Sequence, residues 1–141
     1  MNENNANKER VCAFLKKLSE LSAQHRVEWL TIPRYMSAAK NEPLRKYIIE
    51  ENNYSYAKKI RGHMWIHEYS SYTMRFEDGA VVLLHGELDG RVLSRIAVQT
   101  DTTCPLAFLE VHDEELINDL YDVVSDNNYP TNRFMQKIID M

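Results

Sequence analysis

At 141 residues and 16.6 kDa, with 44% hydrophobic and 27% charged residues, the chain is long enough to form one globular domain over residues 1–141 with an ordinary core. Its four glycines include no phosphate-binding loop and no dinucleotide fingerprint. The longest apolar runs, "AVVLLH" and "CPLAFLEV", fall far short of the roughly 20 residues that cross a bilayer, and the polar start "MNENNANKER" lacks a signal peptide's apolar segment; a cytoplasmic protein with no membrane partner is expected.

The net charge of −4 is unevenly spread along the chain. Residues 1–66 hold twelve Lys/Arg and seven Asp/Glu, a balance of +5, whereas residues 67–141 hold five and fourteen, a balance of −9. Either the two halves fold together and partly neutralise, or the surface is bipolar, with one pole attracting anions and the other imitating one. The overall acidity disfavours general nucleic-acid binding, whose strength grows with the number of phosphates neutralised. Cys12 and Cys104 have neither CxxC nor Cys/His zinc spacing, so both read as small buried hydrophobes.

In chain order, the polar opening over about residues 1–7 is expected to fray. Val11, Phe14, Leu15, Leu18 and Leu21 then follow the three-and-four spacing of one helix face, which predicts an amphipathic helix over residues 8–24. "VEWLTI" reads as a short strand stopped by Pro33. Residues 34–52 contain Pro43, which cannot continue a helix but suits the first turn of one. Two short helices joined near Asn41 follow, with Asn41 capping the second and Leu44, Tyr47 and Ile48 turned inward.

The middle of the chain carries two Asp-Gly pairs, Asp78-Gly79 and Asp89-Gly90, between apolar runs, a strong signal for tight hairpin turns. Taken as two-residue loops, they predict a three-stranded meander with Phe76, Val81 and Val98 in one row and Met74, Leu83 and Ile96 in the next. Tyr72, His85 and Ser94 complete that face. Thr73, Arg75, Val82, Leu84, Arg95 and Ala97 take the other side, which is half polar. A preceding strand over residues 61–68, joined by a three-residue loop within "EYSSY", would place Met64 and Ile66 on the Phe76/Met74 face. Residues 106–111 form a candidate fifth strand. Asp113 then caps a helix with Leu116, Ile117, Leu120, Val123 and Val124 as its buried stripe, and a last helix runs over residues 132–139. The fold class is α+β: an N-terminal amphipathic helix, a central antiparallel meander sheet of about four to five strands and C-terminal helices.

On that register Arg61, His63, Trp65 and His67 share a face with Arg75 and Arg95, and these six residues are the candidate ligand or partner surface. Guanidiniums offer forked donors to phosphate or carboxylate, and an indole offers a stacking plane. The competing outcome is that the acidic stretch "HDEELINDLYD" lies across the arginines as an internal ion-pair layer. His63 and His67 resemble half a zinc-hydrolase motif, but Met64 stands where that motif needs its glutamate, and four residues of strand span about 13 Å at ~3.3 Å each, too far to share one ion. His85 with Tyr72 and Ser94 reads as a polar cluster at a sheet end. No catalytic residue, metal ligand or cofactor is assigned.

These features point first to a non-enzymatic interaction protein, an inhibitor or adaptor docking on a protein partner by charge and apolar contact. The alternative is a module holding a nucleotide or another small anion on the Arg/Trp/His face. A third reading is a metal- or His-dependent hydrolase using His63, His67 and Glu68, or His85. A short helix–strand–meander–helix chain without a cofactor motif resembles, in general texture, the accessory and counter-defence proteins of bacterial viruses and mobile elements; that resemblance assigns no role to any residue. A homodimer is the default if a sheet edge or the polar face is left uncovered.

Overall fold

The computed structural model describes residues 3–57 and 61–141. The elements in chain order are α1 (Glu3–Ala23), β1 (Trp29–Thr31), α2 (Ile32–Ala38), α3 (Glu42–Ala57), β2 (Met64–Ile66), a 3-10 turn (Glu68–Ser70), β3 (Tyr72–Phe76), β4 (Gly79–Leu88), β5 (Arg91–Gln99), β6 (Ala107–Phe108), α4 (Glu114–Asn128) and α5 (Pro130–Ile139). This is an α+β fold, 51% helix and 24% strand among the described residues, with an antiparallel sheet. Contacts divide it into two compact units, residues 1–29 with 110–141, and residues 30–109. Among the described residues no helix is long and apolar enough to cross a membrane.

The first unit is helical. Leu15 and Leu18 of α1 and Ile117, Leu120 and Val124 of α4 are buried where the two helices pack, as the three-and-four spacing of both segments requires. α1 starts at Glu3, ahead of the predicted residue 8, because extending a helix that packing already holds needs no new nucleus. It ends where His25 takes φ 55 and Arg26 N–H reaches back to the Leu21 carbonyl at 2.9 Å, a left-handed cap on a non-glycine residue. Buried Ser22 ties this end down: its hydroxyl accepts from the Trp29 indole at 3.0 Å and its carbonyl from Asn127 at 2.9 Å. Asp113 caps α4 by accepting from Glu115 N–H at 3.1 Å.

In the second unit the sheet runs β1-β3-β4-β5-β6, with β2 also paired to β4. The β4–β5 register matches the predicted one row for row, Val81 opposite Val98, Leu83 opposite Ile96 and His85 opposite Ser94, and the connecting turn has φ 49 at Asp89 and 83 at Gly90. The β3–β4 hairpin differs. Phe76 pairs with Gly79 and Met74 with Val81, so the loop is Glu77-Asp78, with φ 53 at Glu77. Gly79 is there for space rather than for the turn, since a Cβ on it would fall 2.0 Å from the Gln99 carbonyl oxygen. The slip is an even number of residues, so every side chain stays on its predicted face.

The larger correction concerns β2. It does not form a hairpin with β3; it continues along the same edge of β4, where ten-residue β4 outruns five-residue β3. Unpaired strand-edge groups are costly, and β2 satisfies them with Met64 opposite Leu88, Trp65 opposite Glu87 and Ile66 opposite Gly86. Met64 and Ile66 therefore join Val82, Leu84 and Ala97, not Met74. That side, predicted to be half polar, is the apolar core of this unit, closed by Ile32 and Tyr35 of α2 and Leu44 and Ile48 of α3. Tyr72, Met74, Val81, Leu83 and Ile96 on the reverse side are buried as well. Cys12 and Cys104 are half-buried rather than buried.

A buried amide pair anchors α3. Asn41 Nδ2 donates to Gln99 Oε1 at 2.7 Å and to the Tyr35 hydroxyl at 3.0 Å, while Asn41 Oδ1 accepts from Gln99 Nε2 at 3.2 Å and from Leu44 N–H at 3.2 Å. Gln99 Nε2 also donates to the Cys104 carbonyl at 2.8 Å. One side chain thus caps α3, as predicted, and bolts it to β5.

Two substitutions test this frame by urea unfolding. Asn41→Ala removes a cap and strands the buried Gln99 amide, an expected loss of about 2–4 kcal/mol. Gly86→Ala would set a Cβ 2.0 Å from the Trp65 carbonyl oxygen and is expected to cost about 3 kcal/mol by forcing β2 from β4. Wild-type midpoints would contradict the pairing.

Candidate functional site

The six residues chosen from the sequence do not share a surface. Arg75 lies opposite Ala80 and Arg95 opposite Leu84, on the side of the α2/α3 core, whereas Trp65 lies opposite Glu87 on the reverse side. Arg61 is exposed just ahead of β2, and Arg75 is exposed near the end of β3. The physical reason is the β2 pairing: attachment to β4 with Met64 and Ile66 turned to the core sends Trp65 the other way.

Their surroundings are also distinct. His63 Nδ1 lies 2.8 Å from Glu51 Oε1, and its ring stacks on Tyr54 at 5.0 Å. Glu51 Oε2 accepts from Met64 N–H at 3.0 Å, and Asn52 brackets Ile66, accepting from its N–H at 2.6 Å and donating to its carbonyl at 3.1 Å. His63 thus belongs to a seam in which α3 side chains close the outer edge of β2. His67 meets His85 edge-on at 6.3 Å, and its N–H donates to the His85 carbonyl at 2.9 Å. His85 Nδ1 is 2.9 Å from Ser94 Oγ, as the predicted row has it, while Tyr72 pairs with Leu83, two residues along the same face from His85. Arg95 is half-buried, donating to the Tyr47 hydroxyl at 3.2 Å with its guanidinium 4.2 Å from the Phe108 ring centre. Burial pushes the Tyr47 phenol above its usual range, and Arg95 pulls the other way.

Tyr47 and Phe108, 5.1 Å apart, also line a groove of about 860 Å³, together with Pro43, Pro105 and Leu106. Charges of both signs rim it, Lys40 and Lys46 against Glu42 and Glu50, and Lys46 and Glu50 stand 4.0 Å apart. A smaller pocket of about 330 Å³ sets Lys40 and Arg75 beside Glu77, Asp78 and Asp101. Hydrogen bonds from the Thr103 hydroxyl and N–H hold the Asp101 carboxyl below the usual carboxylate range. These carboxylates oppose an anion there.

The first unit presents a different surface. On α4, Glu115, Asp119, Asp122 and Asp126 recur at spacings of four, three and four, all exposed, on the side away from buried Ile117, Leu120 and Val124. α4 contains no Lys or Arg, and none of its carboxylates forms an ion pair among the described residues.

On α5 the usual orientation is inverted. Arg133, Gln136, Lys137 and Asp140 line a cleft of about 320 Å³ with Trp29 and Asn127, while the apolar arc faces outward: Phe134 is 66% exposed, Met135 49%, Ile138 56% and Ile139 70%. No residue of α5 is buried. An amphipathic helix normally sinks its apolar stripe, so four large apolar side chains in one exposed arc form a contiguous apolar patch rather than scattered surface hydrophobes. Sequence reasoning located this helix but passed over its arc. The 134/135/138/139 spacing was the available signal, and spacing alone carries no information about which way a stripe points. Comparison with protein families, with characterised proteins and with solved structures finds no match to this chain.

The β2 seam is open to a direct check by hydrogen exchange. Asn52→Ala is expected to speed exchange of the Ile66 amide by roughly tenfold while β4 and β5 amides stay protected. Unchanged Ile66 protection would mean that α3 does not close this edge.

Proposed function

We propose that the protein is a non-enzymatic interaction protein that docks on a protein partner through the outward face of α5. The observation that carries this reading is the inversion of that helix, with polar residues toward the cleft and Phe134, Met135, Ile138 and Ile139 toward solvent. Leaving such an arc in water gains the isolated molecule nothing. Burying what remains exposed of the four side chains is worth about 4–7 kcal/mol gross at ordinary transfer values. Association itself costs at least about 4 kcal/mol in lost freedom, so the arc can anchor a complex but needs further contacts around it.

The nucleotide or small-anion reading has less support. Its six residues fall on different faces and edges, and the pocket that does hold Lys40 and Arg75 holds three carboxylates as well. A hydrolase reading would need His63, which is engaged with Glu51, and His67, which faces His85, to act on one substrate.

Native mass spectrometry of the protein isolated directly from its host tests the proposal. A complex with a second protein is expected, lost in the Phe134→Ser/Ile138→Ser variant, whose melting temperature should stay close to wild type because exposed substitutions usually cost within about 0.5 kcal/mol. The same complex with the variant would overturn the reading. So would a wild-type protein that only self-associates through this face.

A further inference from the structure

Resting on that reading, we infer the chemistry of the partner: a basic amphipathic helix of another protein, its apolar side on the α5 arc and its lysines or arginines over the acidic stripe of α4. The two features are continuous. Asn132 stands on α5 three residues before Met135 and seven before Ile139, at the rim of the apolar arc. Its side chain donates to the carbonyl and the carboxylate of Asp126, at 3.0 and 3.1 Å, and Asp126 is the last member of the stripe. An element lying on the arc and reaching Asn132 therefore meets Asp126, the end of the acidic stripe.

The charge pattern selects among occupants. α5's own cations, Arg133 and Lys137, line the cleft with Asp140, and among the described residues no ion pair neutralises a carboxylate of the stripe. An anionic membrane surface or a nucleic acid would bring like charge onto it. A second copy would add an equal set of carboxylates. A helix with Lys or Arg beside its apolar stripe satisfies both features at once, and helix-on-helix packing of apolar anchors is an established mode of recognition. The acidic residues then contribute on-rate and choice of partner, while the apolar arc contributes residence time.

Fluorescence anisotropy with two synthetic helices separates this inference from the docking reading on which it rests. Both are about 18 residues long, enough to be helical, with leucine on one face; one carries lysine on the other face and its counterpart glutamate. The full-length protein is expected to bind the lysine peptide and not the glutamate peptide, with affinity falling as salt rises. Asp119→Asn/Asp122→Asn should weaken the lysine peptide by about three- to tenfold, Phe134→Ser/Ile138→Ser should abolish binding, and Glu77→Gln/Asp78→Asn, in the other unit, should leave it unchanged. Equal affinity for the two peptides, or equal weakening by the control pair, would overturn the charge inference and leave α5 as a docking helix. Binding of neither peptide would overturn both.

Discussion

The constraint on which the second unit depends is that β4, ten residues long, must pair along both edges. β5 covers one edge over residues 80–88, but β3 covers only residues 79–83 of the other. Leaving the remainder open would expose main-chain donors and acceptors at the heart of the sheet. β2 fills the gap, and Ser71 bridges the junction, its hydroxyl donating to the His67 carbonyl at 2.9 Å and accepting from His85 N–H at 2.9 Å. Every later feature of this unit follows from that docking. Met64 and Ile66 enter the core, Gly86 is required because Trp65's carbonyl closes on it, and α3 can then lay Glu51 and Asn52 along the free side of β2. The Asn41–Gln99 amide pair sets where α3 begins, so the seam and the core are held from both ends of one helix.

This arrangement makes the second unit a poor host for the anion-binding face that the residue types suggest. Its cationic and aromatic groups are distributed by the sheet rather than gathered. Arg95 is committed to Tyr47 and Phe108 and His63 to Glu51, contacts that stabilise the fold internally. The first unit has the opposite character. Its buried apolar side chains come from α1, α4 and Trp29, and α5 adds none. A helix that adds no buried side chain while keeping large apolar residues in water carries a cost in solubility, and the proposed recognition of another surface would offset that cost.

Much of the architecture was legible because local chemistry decides it. Asn41 before Pro43, and Asp113 before an apolar three-and-four pattern, mark helix starts through hydrogen bonds and dihedral limits that act within a few residues. Asp89-Gly90 specifies its turn for the same reason, and through it the whole β4–β5 register. Asp78-Gly79 shows the limit: the same dipeptide is displaced from the turn because Gly79 is needed where the Gln99 carbonyl approaches, and no neighbour in sequence announces that approach. The shared face expected for the six candidate residues rested on a single choice of partner for β2, which the structure makes β4. Strand alternation correctly separates Met64 and Ile66 from Trp65, yet a three-residue strand pairs equally well, by its own pattern, with β3 or with β4.

From its sequence alone, then, the chain determines helix and strand identity, caps, one hairpin and the alternation of faces, since these rest on interactions between residues close together in the chain. Which strand receives β2, and whether the apolar arc of α5 turns inward or outward, were decided only in three dimensions. Both depend on which distant surfaces compete to bury the same groups, a free-energy balance summed over the whole fold that no local pattern records.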